Sequence, residues 1–190
     1  MYIVIIWMGI QMEEFRRIDR ELVYSGSIVD FYKDTVAVPN GNIVKWDFIG
    51  HNGAAAVVPV LPDGRILMVR QYRNALDRYT LEIPAGGREG NEPMLDCSHR
   101  ELEEETGYRT EKSNMKFLIS IYTTVAFCNE KIDIYVADQL VESEQKLDED
   151  EFIHVKPYPV EELVEMIHKG IIQDSKTVSA ILAYYTRYCR

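Results

Sequence analysis

The chain has 190 residues, 46% of them apolar, and its 21 Lys and Arg against 31 Asp and Glu give a net charge of −10. This size and composition predict one folded domain with at most a small attachment, and they argue against a wholly disordered chain. An acidic chain is a poor general partner for nucleic acid or an anionic membrane, so we expect neither. Three scattered cysteines are too few for a disulfide framework or a zinc cluster, which predicts a reducing, cytoplasmic location.

The first eleven residues, MYIVIIWMGIQ, are unusually apolar. They are too short to span a bilayer, which needs about 20 residues, and they lack the basic start of a signal peptide. We interpret residues 1–12 as an extension upstream of a start at Met12. The alternative is an edge strand or an oligomer contact.

Residues 13–50 are predicted to form a small antiparallel β segment. Strands are expected over 22–28, 34–38 and 43–49. The Pro-Asn-Gly-Asn turn at 39–42 favours a hairpin, because Asn-Gly tolerates positive φ angles.

Residues 51–190 are predicted to form the main domain, in which strands and helices follow one another. Strands are expected over 54–60, 65–72, 79–83, 116–124 and 131–137, and helices over 93–105, 159–169 and 175–188. Gly107 is a suitable C-terminal stop for the first helix, and Asp174 is a suitable N-cap for the last. This order predicts an α+β or α/β layered domain with a mixed sheet.

The first helix carries a run of acidic residues. Glu101, Glu104 and Glu105 stand at i, i+3 and i+4, so they share one face, where their like charges repel. A divalent cation would make this face favourable, and carboxylate oxygens suit Mg²⁺ or Mn²⁺. A solvated acidic helix face is the ordinary alternative for such a run. The wider pattern decides between them, because Gly86, Glu92, Arg100 and Gly107 stand at fixed spacings around it.

This segment resembles the Nudix box, G-x5-E-x7-R-E-U-x-E-E-x-G-U with U apolar, at every specified position from Gly86 to Tyr108. The resemblance implies an α+β fold in which a mixed β-sheet is sandwiched between helices. It also implies metal-dependent hydrolysis of a nucleoside diphosphate linked to another group. By the same resemblance, two or more Mg²⁺ or Mn²⁺ ions would bind the carbonyl of Ala85 and the carboxylates of Glu101, Glu104 and Glu105. Arg100 would orient these glutamates.

Flanking residues resemble the ADP-ribose pyrophosphatase branch of the family. Arg73 in Gln-Tyr-Arg would meet the diphosphate, although an exposed surface arginine is the alternative. Glu82 in Leu-Glu-Ile-Pro-Ala-Gly, which leads into the box, would be a further substrate-binding residue by the same resemblance, and Asp-Ser-Lys-Thr at 174–177 resembles the C-terminal signature of the branch. Glu149 best matches a catalytic glutamate on a mobile loop, with Glu151 second and Glu104 as a further candidate base. The products would be AMP and ribose 5-phosphate.

One loop departs from the branch pattern. The usual Ser-Pro-Gly is replaced by Thr124-Val125-Ala126, whereas Glu130 matches the acidic residue further along the loop. Hydrolysis of another nucleotide sugar, such as GDP-mannose, is therefore the rival enzymatic function. A binding module without catalysis is a third hypothesis, although such proteins usually lose box residues.

The N-terminal segment resembles one that members of this branch exchange between two subunits, which implies a homodimer. Trp46 matches a position that stacks on adenine across the dimer. A half-buried tryptophan of the sheet is the alternative interpretation of Trp46.

Overall fold

The computed structural model describes residues 14–149 and 151–189. The predicted extension, residues 1–12, lies outside the described residues. The chain divides into two compact units, of which the first includes residues 14–51 and 126–128 and the second includes the rest of the described chain. None of the described helices is long and apolar enough to cross a membrane.

The first unit is a three-stranded antiparallel sheet in the order β1-β2-β3. Its strands are β1 (Arg16–Ser25), β2 (Asp30–Ala37) and β3 (Ile43–Gly50). Arg20 on β1 pairs with Asp34 on β2 through two hydrogen bonds of 2.6 Å, and its guanidinium lies 3.8 Å from the ring centre of Phe48 on β3. These contacts hold the three strands together from one face.

The predicted bounds of the first strand were wrong, because β1 begins six residues earlier and ends at Ser25. Two irregularities in its pairing with β2 lie between Arg17 and Asp19 and between Leu22 and Tyr24. Each such bulge shifts the alternation of side chains by one, so the period-two pattern that marks a strand is interrupted. Residues 26–29 connect β1 to β2 instead of extending β1.

The second unit contains a four-stranded mixed sheet in the order β7-β4-β10-β9. Strands β4 and β10 run parallel, whereas β4 with β7 and β10 with β9 run antiparallel. A second sheet has the order β12-β5-β6, and two short strands, β8 and β11, pair separately. The strands of this unit are β4 (Ala54–Pro59), β5 (Ile66–Arg73), β6 (Arg78–Glu82), β7 (Ala85–Gly87), β8 (Tyr108–Arg109), β9 (Met115–Tyr122), β10 (Lys131–Ala137), β11 (Val141–Glu142) and β12 (His154–Tyr158).

Helices cover both faces of this mixed sheet. They are α1 (Met94–Thr106), α2 (Val160–His168) and α3 (Ser175–Tyr188). All six residues of β4 are buried, and they contribute to two cores. Val57 packs in the cluster that contains Leu102 of α1, whereas Val58 packs in the cluster that contains Leu163 and Ile181 of α2 and α3. This is the predicted α+β arrangement, a mixed sheet between helices.

Sequence patterns did not predict β12. It contains Pro157, which has no backbone N–H and therefore lowers the expectation of a strand. The proline is tolerated because β12 lies at the edge of its sheet and, within the described chain, pairs with β5 alone.

Candidate functional site

Helix α1 presents its acidic side chains around Arg100. The guanidinium donates through Nη1 to Glu101 Oε1 at 2.7 Å and to Glu104 Oε2 at 2.8 Å. Through Nη2 it donates to Glu92 Oε1 at 3.0 Å and to the carbonyl of Gly87 at 3.1 Å. One arginine thus fixes two box carboxylates and the loop that precedes the helix, which is the geometry that a planar guanidinium provides.

Gly86 allows Glu101 to lie directly against the backbone of the loop. A Cβ atom at this glycine would stand 1.9 Å from Glu101 Oε1. The Glu101 residue is only 8% exposed, and burial raises the pKa of its carboxyl to about 7 although Arg100 opposes the shift. The loop therefore holds a carboxylate where water solvates it poorly.

Glu105 is the second buried carboxyl of this face, at 3% exposure. Its Oε2 accepts a hydrogen bond of 2.9 Å from the backbone N–H of Ala85. Burial raises the pKa of Glu105 to about 8, the Ala85 N–H opposes the shift, and the negative charges of Glu101 and Glu151 add to it. Two buried acids with raised pKa values therefore lie one helical turn apart.

These residues fit a divalent cation. Among residues 14–149 and 151–189, no three Asp, Glu, His or Cys side chains are already gathered as a metal site. However, the donors of this face are hard carboxylate oxygens, two of them are buried with raised pKa values, and Gly86 leaves Glu101 beside the backbone. Three carboxylates carry more negative charge than Arg100 balances, and Mg²⁺ or Mn²⁺ suits oxygen donors.

A second charged cluster centres on Glu82, the last residue of β6, which is 1% exposed. Arg73 at the end of β5 donates to it twice, from Nε to Oε1 at 2.8 Å and from Nη2 to Oε2 at 2.6 Å. Thr80 Oγ1 donates to Oε1 at 2.6 Å, and Lys176 Nζ donates to Oε2. These donors outweigh the effect of burial and lower the pKa of Glu82 to about 2.

The N-terminus of α3 joins this cluster. Asp174 Oδ2 caps the helix by accepting from Thr177 N–H at 3.0 Å and also accepts from Lys176 Nζ at 3.0 Å. Thr177 Oγ1 in turn accepts from the N–H of Ile83 at 3.0 Å. The positive charge of Lys176 opposes the rise in the pKa of Glu105, so the Glu82 cluster lies within electrostatic reach of the helix α1 carboxylates.

The loop between β11 and β12 begins on the C-terminal end of α1. The N–H groups of Ser143 and Lys146 donate to the carbonyls of Gly107 and Glu104 at 2.7 and 2.9 Å. The amide Nε2 of Gln145 donates to the carbonyl of Glu105 at 2.6 Å. These bonds satisfy carbonyls that a helix end otherwise leaves unpaired, and they fix the start of the loop.

The two candidate bases of this loop differ in their surroundings. Glu151 Oε2 accepts from the N–H of Asp148 at 3.3 Å, and its charge raises the pKa values of Glu101 and Glu105. Glu149 is exposed. The geometry thus brings Glu151 into the electrostatic neighbourhood of the helix α1 acids, whereas the family pattern favours Glu149.

The remaining predicted residues lie elsewhere. Glu130 Oε2 accepts a 2.6 Å hydrogen bond from Thr123 Oγ1, which ties together the two ends of the altered loop, and Val125 at its tip is exposed. Trp46 belongs to the other unit, on β3. It is 49% exposed, and its ring centre lies 6.0 Å from that of Phe15.

Sequence reasoning did not assign roles to three contributors. Lys176 was recognised within the Asp-Ser-Lys-Thr signature, but its partner Glu82 is 94 residues away. Thr80 and Gln145 carried no signal, since an ordinary polar residue in a strand or loop has no distinguishing spacing. Glu103, the other acid of this run, accepts through its Oε1 from Ser143 Oγ at 2.6 Å.

The comparison with family models agrees with the box geometry. The model described as the NUDIX domain matches residues 50–180, more than half of the chain. The chain belongs to the Nudix family. The family assignment confirms the resemblance drawn from the sequence of the box, and Nudix hydrolases generally use divalent metal ions.

Similar proteins carry several names. This Nudix chain is 37% identical over 170 residues to an ADP-ribose pyrophosphatase of Bacillus subtilis, covering 88% of this chain and 91% of the relative. It is 41% identical over 176 residues to a methanol dehydrogenase activator of Bacillus methanolicus, covering 92% and 94%. It is 32% identical over 136 residues to a GDP-mannose pyrophosphatase of Cronobacter sakazakii, covering 67% and 70%.

A solved structure of an ADP compounds hydrolase has the same fold. It matches with a TM-score of 0.83 and 19% identity, covering 94% of this chain and 96% of the other. The likeness confirms the predicted fold class.

Proposed function

We propose that this Nudix protein hydrolyses the diphosphate bond of a nucleotide sugar, and that ADP-ribose, cleaved to AMP and ribose 5-phosphate, is the preferred substrate. The observation that carries the proposal is the pair of buried carboxyls, Glu101 and Glu105, beside Gly86. The relatives of Bacillus subtilis and Mycobacterium tuberculosis named ADP-ribose pyrophosphatase, at 37% and 31% identity, support the choice of substrate.

Glu101, Glu104, Glu105 and the carbonyl of Ala85 would hold the metal, which we propose to be two or more Mg²⁺ or Mn²⁺ ions. When bound there, the metal supplies positive charge that polarises phosphoryl oxygens and acidifies water. Arg100 holds the carboxylates of Glu101 and Glu104 in place through its Nη1 atom. This fixed arrangement needs little reorganisation during the reaction.

The remaining steps use residues outside the helix. Arg73 binds a diphosphate oxygen through the part of its guanidinium that Glu82 leaves free. A carboxylate oxygen of Glu149 or Glu151 takes a proton from the attacking water as its oxygen bonds to phosphorus. The phosphorus–oxygen bridge then breaks, and the leaving phosphate departs with its electron pair.

Substrate recognition and assembly are predictions of the same proposal. The N-terminal segment, residues 13–50, would be shared in a homodimer, so that Trp46 stacks on the adenine of the partner's substrate. Glu130 would contact substrate from the altered loop. The protein would act in the cytoplasm, which suits three cysteines that form no disulfide within the described part of the chain.

A second candidate function is supported by the relative named methanol dehydrogenase activator, at 41% identity over nearly the whole of both chains. Dehydrogenases of many folds hold a nicotinamide dinucleotide, whose diphosphate belongs to the class that this site would cleave. The chain would then act on the dinucleotide that belongs to a dehydrogenase.

A substrate panel separates these functions. We expect kcat/KM with Mg²⁺ to be highest for ADP-ribose among ADP-ribose, GDP-mannose and NAD⁺. Highest kcat/KM for GDP-mannose would identify the rival nucleotide-sugar hydrolase. Cleavage confined to NAD⁺ and stimulated by methanol dehydrogenase would favour the second candidate. Binding of ADP-ribose without turnover under every metal would indicate a binding module.

A further inference from the structure

Resting on the function proposed above, we infer that Lys176 is a positioning residue that keeps Arg73 available to a diphosphate by sharing the carboxylate of Glu82. Neither the family box nor the substrate proposal requires this lysine. The structure indicates this role, because Arg73 and Lys176 approach the same oxygen, Oε2 of Glu82.

A charged lysine is unfavourable at position 176 unless neighbouring groups compensate its charge. It is the second residue of α3, where the positive end of the helix dipole disfavours a cation. It is also 7% exposed, and a buried ammonium is costly unless it is paired. Glu82 and Asp174 supply that pairing, so the lysine is bound into the cluster from two sides.

The charge of the cluster depends on Lys176. Arg73 and Glu82 alone form a neutral pair, which attracts an anion weakly. Adding Lys176 gives these three groups a net charge of +1. Asp174, which also pairs with Lys176, brings the formal sum of the four groups to zero, but it faces the N-terminal N–H groups of α3, whose dipole offsets part of its charge. Lys176 therefore leaves positive charge at Arg73 that Glu82 does not cancel.

Arg73 has a free edge that can use this charge. Its Nε and Nη2 atoms bind Glu82, whereas Nη1 has no hydrogen-bond partner among the described residues, and its side chain is 40% exposed. Without Lys176, Arg73 would neutralise Glu82 by itself. The Nη1 edge of Arg73 would then attract a diphosphate less strongly, because the cluster would carry less positive charge.

The first test replaces Lys176 with Met, which keeps the length of the side chain and removes the charge. We expect the KM for ADP-ribose to rise about tenfold while kcat stays within about threefold, because the lost interaction is equal in ground and transition states. In an Arg73→Gln background, Lys176→Met should change KM by less than about twofold, since coupled residues are not additive. An equal rise in both backgrounds would overturn the inference.

Two controls separate this role from a purely structural one. Lys169→Met removes an exposed lysine whose ion pair, among the residues that the structure describes, is with Glu165, and should leave KM unchanged. Thr177→Val removes the hydrogen bonds of Thr177 Oγ1 with Ile83 and with Asp174 without altering charge. It should lower the melting temperature but leave KM within about twofold. A rise in KM for Thr177→Val matching that for Lys176→Met would overturn the inference.

A compensating variant keeps the test decisive if Lys176→Met fails to fold. Glu82→Gln with Lys176→Met removes both buried charges together, which proteins tolerate better than removal of one partner. Arg73 then stands alone with a charge of +1, so the inference predicts binding of inorganic pyrophosphate within about threefold of the parent, measured by calorimetry in EDTA. Lys176→Met by itself, if it folds, should bind pyrophosphate about tenfold more weakly.

The outcomes distinguish the inference from the proposed function. A parent that binds pyrophosphate as predicted but cleaves no nucleotide sugar would contradict the proposed function while the role of Lys176 stands. A parent that cleaves ADP-ribose, with Lys176→Met unchanged in KM and in pyrophosphate affinity, would overturn the inference alone. A parent that binds no pyrophosphate in EDTA would also overturn it.

Discussion

Two side chains of α1, Glu101 and Glu105, hold carboxyls in places where water solvates a charge poorly. Burial raises their pKa values to about 7 and about 8, so these carboxyls hold protons in preference to a negative charge up to a higher pH than exposed glutamates do. Binding a divalent cation reverses that preference and releases protons. Burial of the Glu101 and Glu105 carboxyls lowers the stability of the fold without metal, and the same two carboxyls are well suited to bind a metal ion.

The neighbouring glycines Gly86 and Gly87 offer a matched pair of substitutions. In Gly86→Ala the new Cβ would displace the Glu101 carboxylate, whereas at Gly87 a Cβ meets nothing within 4 Å. We expect Gly86→Ala to lower kcat by about 100-fold, since a displacement of about 1 Å can cost that much. The melting temperature should change little, because the side chain of Glu101 is flexible. Equal kcat values for the two variants would show that activity does not depend on the position of the Glu101 carboxylate.

The two loop glutamates can be separated by parallel variants. The family resemblance predicts that Glu149→Gln lowers kcat more than Glu151→Gln does. The electrostatic contact of Glu151 with Glu101 and Glu105 makes the opposite ranking the informative alternative. Melting temperatures should be unaffected, since both side chains are exposed. Unchanged kcat in both variants would move the general base to Glu104.

At the scale of elements, the end of β5, the end of β6 and the start of α3 meet at one carboxylate, that of Glu82. These three segments contain the Gln-Tyr-Arg, Leu-Glu-Ile-Pro-Ala-Gly and Asp-Ser-Lys-Thr motifs. Lys176 and Arg73 join them through hydrogen bonds to Glu82. A cluster of this kind is stable only while the carboxylate is ionised.

Acid should therefore weaken this junction. The pKa of Glu82 is about 2 in the folded protein against an ordinary 4.5, so its contribution is complete above pH 4.5 and is lost as pH falls toward 2. By linkage this contribution is at most about 3 kcal/mol. In urea titrations, the stability difference between the parent and Glu82→Gln should shrink from pH 6 to pH 3. A difference independent of pH would contradict the lowered pKa.

The sequence allowed the helices and most strands of the second unit to be predicted, because their caps and apolar periods are local. Gly107 ends α1 with a φ of 69°, and Asp174 caps α3, both as expected. The box acids were equally predictable, since they stand on one helix face. The Glu82 cluster was not, because Lys176 lies 94 residues from its partner and only the fold brings them together.

At the scale of the whole molecule, the first unit has many apolar side chains open to solvent. They include Phe15, Tyr24, Ile28, Ile43 and Trp46. A small unit buries only part of its chain surface, and association with a second copy would cover more of it. The proposed homodimer would cover these apolar side chains.

Trp46→Ala tests the shared pocket. If the indole stacks on adenine, the loss of about 1–3 kcal/mol corresponds to a rise of about 5- to 150-fold in the KM for ADP-ribose. The kcat value should change little, because stacking is equal in ground and transition states. Trp46→Phe should keep most of the affinity. Light scattering should report a dimer for all three proteins, and a monomeric parent or an unmoved KM would contradict the idea.

Identification of the reaction products tests the central claim most directly. The purified protein with ADP-ribose and Mg²⁺ should yield equal amounts of AMP and ribose 5-phosphate, and EDTA should stop the reaction. Under the same conditions Glu105→Gln should be at least about 100-fold slower, the scale expected for loss of a major electrostatic group. Absence of turnover in the parent, turnover that persists in EDTA, or full activity of Glu105→Gln would contradict metal-dependent diphosphate hydrolysis at the α1 carboxylates.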